Sequence, residues 1–235
     1  MKNYRFPLFV SIAVAMFSAS PSFAQADPVG DFNRHLVANW KGDYIRLGQY
    51  RVKGTPYLYG ESLPGHIVYK GNKSFKNVNI LYDLFNQKAG MDVKNEIFEV
   101  DNVIEEFSVT SPTQYGSQVL LFKNAANYGD RVKGYLNVLE DGEKVALLKS
   151  YNIRLSQDPT DLMNKDKRII DQFSEYYIYV KASKKLEKVK LKEKEIIKAI
   201  GEDKQAKDYI SLHKMDIATE GQLISFLESY NNNFK

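Results

Sequence analysis

Glu140-Asp141-Gly142-Glu143 stands between two apolar runs, and nothing in the seventy residues before it reads as a connecting helix. Asp-Gly is among the pairs that most readily adopt the tight turn of a β-hairpin. The same arrangement recurs upstream, where short β-rich runs at 66–69, 78–82, 96–100, 106–109, 119–122 and 135–139 follow one another. Lys70-Gly71-Asn72-Lys73, Gln87-Lys88-Ala89-Gly90 and Asn127-Tyr128-Gly129-Asp130 supply the turn chemistry between them. Strands joined by hairpin-length connections pair antiparallel, because a parallel crossover takes about a dozen residues and usually a helix. Residues 42–155 are therefore predicted to form an antiparallel meander, folded as a sandwich or a partly open barrel.

The pattern changes toward the C-terminus. Residues 156–167, with Asp158-Pro159-Thr160-Asp161, are polar and read as a loop, and strands are expected at 175–181 and 185–190. After Leu191 the apolar spacing becomes helical. Ile196, Ile197 and Ile200 make one stripe, Gly201 falls where a helix C-cap belongs, and Tyr209, Ile210 and Leu212 mark a second helix. Thr219-Glu220-Gly221-Gln222 has capping-box spacing, so Leu223, Ile224, Leu227 and Tyr230 form the packing face of a third. The expected fold is α+β, with an antiparallel β domain over 42–191 and a helical segment over 192–235. An outer-membrane barrel closes by pairing its terminal strands, and a helical, charged end leaves no such strand.

The N-terminus reads as an export signal. Lys2 and Arg5 precede an apolar run from Leu8 to Phe17, followed by small residues that allow cleavage after Ala24 or Ala26. Ser18, Ser20, Pro21 and Ser22 break the run short of the roughly 20 residues a membrane span needs. Residues 1–24 are thus expected to be a leader, leaving no transmembrane segment in the mature chain, which would be periplasmic or secreted. Asp27-Pro28 followed by Val29, Phe32, Leu36 and Trp40 predicts a short N-terminal helix or flexible arm over 27–41. The chain has no cysteine, which removes disulfides, thiolate nucleophiles and zinc-thiolate sites together. Stability must come from a core, and removing 24 of 235 residues leaves 211, enough to bury one.

The chemistry-bearing residues are sparse. Gly60-Glu61-Ser62-Leu63-Pro64-Gly65 is one residue too long for a nucleophile elbow and runs into a strand instead of a helix. His35, His66 and His213 have no metal-ligand spacing, and no glycine-rich phosphate loop is present, so neither metal nor cofactor is expected. Glu105-Glu106 and Asp101 sit beside strands, as the acids of a glycoside hydrolase can. Eight lysines between 181 and 198 oppose Glu187, Glu193 and Glu195, but they alternate with Leu186, Val189 and Leu191 as on a guarded edge strand. Nucleic acid is not an expected partner. The chain is rich in tyrosine, with 16 against a single tryptophan, and tyrosine faces stack on sugar rings. Tyr57 and Tyr59 lie two apart in an extended stretch and so are expected on the same side of it, His66 opens the next strand, and Tyr177 and Tyr179 share a strand face. These five are the candidate binding residues, and no catalytic residue is assigned.

Lys53-Gly54-Thr55-Pro56-Tyr57-Leu58, Pro64-Gly65 before a strand, Asn77-Val78 before Leu81-Tyr82-Asp83, Glu175-Tyr176-Tyr177 and the closing Leu227-Glu228-Ser229-Tyr230-Asn231-Asn232 together resemble an uncharacterised family of small exported bacterial proteins. The resemblance implies no activity and assigns a role to no residue. It implies that Gly-Thr-Pro-Tyr-Leu is an entry to the sheet. The expected function is that of an exported, non-catalytic binding or cell-envelope scaffolding protein whose partner is an envelope protein or a glycan. Glycan binding, or hydrolysis of polysaccharide or cell wall, is the alternative.

Overall fold

The computed structural model describes residues 45–233 apart from 48, 72, 94–95, 100–103, 115 and 214. The leader, the helix or arm expected over 27–41, His35 and Asp101 lie outside the described residues. The β region comprises β1 (Ile45–Leu47), β2 (Tyr50–Lys53), β3 (Leu63–Tyr69), β4 (Ser74–Asp83), β5 (Lys88–Val93), β6 (Glu96–Glu99), β7 (Ile104–Thr113), β8 (Gly116–Asn124), β9 (Tyr135–Asp141), β10 (Val145–Gln157), β11 (Lys167–Val180) and β12 (Lys185–Val189). Three helices follow: α1 (Glu193–Ala199), α2 (Lys204–His213) and α3 (Glu220–Asn233). The class is α+β.

All twelve strands belong to one sheet, ordered β1-β2-β11-β10-β9-β8-β7-β3-β4-β5-β6, with β12 on the remaining part of β11. Every pair of strands joined by a hairpin is antiparallel, as turn length requires. Two details depart from a simple meander. First, β2 lies parallel to the start of β11, with Arg51, Val52 and Lys53 opposite Lys167, Arg168 and Ile169. The hairpin rule binds only strands that a short turn joins, and these two are far apart in sequence. Second, β3 pairs with β7 on one side and β4 on the other, so the chain leaves β2 without pairing it to β3. The expected turn at 87–90 is also displaced: Leu84 to Gln87 make the turn, and Lys88, Ala89 and Gly90 are already in β5.

The sheet is open but strongly curled. β4 and β9 are separated by β8, β7 and β3, which would put them about 19 Å apart in a flat sheet at about 4.8 Å per step. Yet the Tyr135 amide on β9 donates to the Tyr82 hydroxyl on β4 at 3.2 Å. Tyr82 meets Phe107, Phe122 and Tyr135 edge-on, and Phe107 stacks on Phe122 with centroids 4.7 Å apart. These rings fill the concave side with Ile67, Ile80 and Ile104. Gln87, in the β4–β5 turn, reaches further round and donates to the Tyr151 carbonyl on β10 at 3.1 Å.

The segment between β2 and β3 ties the curl together. Gly54, at φ +104°, turns the chain away from β11 in a conformation that disfavours a side chain. Gln172 on β11 donates to the carbonyls of Thr55 at 3.0 Å and Tyr57 at 2.9 Å, Tyr57 bridges to Asp83, and the Leu84 amide donates to Pro56 at 2.9 Å. Gly-Thr-Pro-Tyr is therefore a strap from β11 to the far end of β4.

The helices pack on the sheet and share its core. Ile196, Ile197, Ile200, Ala206, Ile210, Leu223, Phe226 and Leu227 surround Val145, Leu147, Ile178 and Val189. The capping box forms as its spacing predicts: the Gln222 amide donates to Thr219 Oγ1 at 3.3 Å and the Thr219 amide to Gln222 Oε1 at 3.0 Å. Leu212 departs from its expected stripe and points outward, because the helix buries Ala206 and Ile210 instead.

Candidate functional site

Alternation along β10 sends Val145, Leu147, Lys149, Tyr151 and Ile153 to one side, since neighbouring strand residues face opposite ways. Val145 and Leu147 lie under the helices, and Tyr151 and Ile153 pack against the aromatic core. Lys149 falls at the seam between the two. Its Nζ donates to Glu220 Oε2 at 2.7 Å, where α3 begins, and the Tyr176 hydroxyl donates to the same oxygen at 2.8 Å. The ammonium also lies 5.2 Å from the Tyr151 ring and 5.5 Å from the Tyr176 ring, within cation–π reach. Asn137, buried on β9, donates to the Tyr151 hydroxyl at 3.3 Å.

The electrostatics of this seam favour the charged form of Lys149 and the neutral phenols of Tyr151 and Tyr176. Burial alone would lower the Lys149 ammonium, but the Glu220 carboxylate and the two tyrosines outweigh it and push it up. Burial raises the phenols of Tyr151 and Tyr176, and the bond to Glu220 raises Tyr176 further. A protonated ammonium has no lone pair to attack with, and a neutral phenol is a weak base. What the cluster can do is join α3 to the sheet and present partly exposed polar atoms.

Two further charge clusters behave alike. On the opposite face, Glu175 accepts from the Tyr177 hydroxyl at 2.9 Å and pairs with Lys188. Burial would raise its carboxyl, but both partners outweigh that and hold it below the usual range. Asp141 in the Asp-Gly hairpin is gripped by Lys181 at 2.7 Å and Lys123 at 3.0 Å, which overcome the opposing effect of burial and hold it low. Glu105 and Glu106 are consecutive on β7, so alternation directs them to opposite faces and they do not oppose one another across a substrate. Among the described residues, no group of three or more His, Cys, Asp and Glu side chains is placed to hold a metal ion.

The five candidate residues do not converge. Tyr57 is 3% exposed, whereas Tyr59 is 46% exposed, so the expectation that they share one side gives way. The reason is local: Leu58–Gly60 is a 3-10 turn with Tyr59 at φ +60°, and the alternation of an extended chain does not apply there. His66 lies on β3 beside Ser108 and Lys76, with its Nε2 buried and lacking a hydrogen-bond partner among the described residues. Tyr177 and Tyr179 do share a face, in a small core with Leu148 and Leu186, and Tyr179 meets Tyr128 edge-on at 5.1 Å. Tyr59 thus carries the accessible ring of the five, and Phe85, in the β4–β5 turn, is also 46% exposed. Each lies two residues from the Tyr57–Asp83 bridge.

Lys149, Glu220 and Asn137 have no counterpart among the candidate residues, since no spacing links Glu220 on α3 to the β9–β10 hairpin that carries the other two. A cleft of about 550 Å³ was also not foreseen. Glu193, Lys194, Ile197, Lys198, Glu202 and Lys207 line it, with Lys207 3.6 Å from Glu202. Two of its lysines come from the basic run, which is therefore not wholly an edge-strand device. No described helix is long and apolar enough to cross a membrane. Comparison with family models, with curated proteins and with solved structures finds no match to this chain.

Proposed function

We propose that the chain is an exported, non-catalytic binding or cell-envelope scaffolding protein, periplasmic or secreted after loss of its first 24 or 26 residues, and a member of an uncharacterised family of small exported bacterial proteins. One observation supports the non-catalytic reading. At Lys149–Glu220, Glu175–Lys188 and Asp141–Lys181 opposite charges pair, and the pairing pushes the Lys149 ammonium up and holds the Glu175 and Asp141 carboxyls low, away from the range in which protons are exchanged at neutral pH. Tyr59, in the turn after the strap, and Phe85, in the β4–β5 turn, favour a glycan as the ligand, because exposed aromatic rings can stack on sugar faces at little cost in side-chain entropy.

The test uses protein recovered from the envelope or medium of its own cells. Its N-terminus should begin at residue 25 or 27. Incubated with purified cell-wall sacculi, it should co-sediment without releasing soluble sugar, and Tyr59→Ala should lower the bound fraction several-fold. Sugar release that Glu175→Gln or Glu220→Gln abolishes would establish a hydrolase instead.

A further inference from the structure

The β7–β8 hairpin extends past the strands on either side of it. β7 and β8 pair along their full common length, from Glu106 opposite Lys123 to Thr113 opposite Gly116. β3 accompanies β7 only as far as Val109, and β9 accompanies β8 only over Phe122, Lys123 and Asn124. Residues 116–121 of β8 therefore have a free outer edge among the described residues. Ser117, Gln118 and Val119 on this edge are exposed, Val119 to 66%.

An exposed edge with unpaired amides and carbonyls is a template for another strand, and proteins ordinarily guard such edges with charge or proline. This chain does so elsewhere. β12 carries Lys185, Glu187 and Lys188, and Pro112 blunts the β7 side of the same hairpin. Gly116-Ser117-Gln118-Val119-Leu120-Leu121 has neither charge nor proline.

We propose that this edge of β8 is a self-association site, on which a second copy of the chain lays its own β8 antiparallel about a two-fold axis. Self-pairing about a two-fold axis sets the axial residue against its own copy, so a charge at or beside the axis would meet a like charge and cost stability. Residues 116–121 meet that condition along their whole length, whereas a charged foreign strand would call for complementary charge here. Six residues give about 20 Å of edge, enough for one ladder. The contact is small, so the dimer is concentration-dependent and joins two curled sheets through their hairpins. Each dimer carries two copies of the Tyr59 strap, which would add avidity toward a repetitive polymer.

Sedimentation of the full processed protein over a concentration series should show a reversible monomer–dimer equilibrium. Val119→Lys should weaken it about tenfold or more, because the two lysines would face each other across the axis, while Val119→Thr should leave it unchanged. Both changes fall on an exposed side chain, so the unfolding midpoint at low concentration should stay the same. Since the chain lacks cysteine, Gln118→Cys or Val119→Cys should give an oxidised dimer, and Leu212→Cys on α2 should not. A monomer at every concentration would overturn the proposal, as would a dimer indifferent to Val119→Lys or cross-linked at 212 but at neither 118 nor 119.

Discussion

Gly65 on β3 pairs with Val109 on β7. A methyl group added there would overlap the Ser108 carbonyl oxygen and come within 2.7 Å of Ile80 Cδ1. The first obstacle is backbone in a paired strand, which cannot swing aside as a side chain can. Gly65→Ala is therefore expected to destabilise by about 3 kcal/mol, the upper end of the usual overpacking cost, seen as a fall in the denaturant midpoint. Gly221 provides the contrast. It lies in α3 with open space around it and helical backbone, so Gly221→Ala should stabilise by about 0.5 kcal/mol through lower unfolded-state entropy. If the two substitutions shift the midpoint alike, close approach at Gly65 is not what fixes the β3–β7 contact. Pro64-Gly65 is visible in the sequence as turn chemistry, yet its use is different: the pair lies inside a strand, and the glycine makes room for a neighbour.

At the scale of elements, α3 is fastened at both ends. Glu220 meets Lys149 and Tyr176 at the start, and Asn231 meets the β9–β10 hairpin at the finish. Asn231 Oδ1 accepts from the amides of Lys144 at 3.1 Å and Val145 at 3.0 Å, and its Nδ2 donates to the Val145 carbonyl at 3.1 Å and to Glu140 at 2.6 Å. Removing a side chain that satisfies buried backbone groups costs about 1–3 kcal/mol. Asn231→Ala should fall in that range, and hydrogen exchange should show α3 and the hairpin losing protection together. Exchange that quickens in α3 alone would mean that the clamp does not couple them. The Asp-Gly turn, the capping box and the helical stripes were legible because each is a local pattern within a few residues. The clamp was not, since Asn231 and Lys144 are 87 residues apart, and Lys149 and Glu220 are 71 apart. The same limit hid the parallel β2–β11 pair and the strap's destination. Of the candidate binding residues, strand alternation placed Tyr177 and Tyr179 together, and it gave no guidance at Tyr59, where the backbone turns left-handed.

Over the whole molecule, the sheet's curl turns many of the 16 tyrosines into core, and this makes stability depend on alkaline pH. Burial pushes the phenols of Tyr128, Tyr135 and Tyr177 up to about 12, and that of Tyr82 higher still. In the unfolded chain each would ionise near 10. Between about pH 10 and 12 the unfolded state therefore binds fewer protons than the folded state, and stability falls as pH rises. Below the unfolded value both states are protonated and the contribution is fully present. Lys149, also pushed up, acts in the same direction, since its charge-paired form is lost as pH rises through its folded value. In an alkaline titration, one fraction of the phenolate absorbance should appear gradually and the rest in a single step, coincident with loss of near-ultraviolet circular dichroism. Tyr82→Phe removes one buried phenol while keeping the ring against Phe107 and Phe122, so it should reduce the amplitude of that step. If all the phenols ionise gradually near their ordinary value while the dichroism persists, the rings are not enclosed and the curled sheet does not hold its core as described.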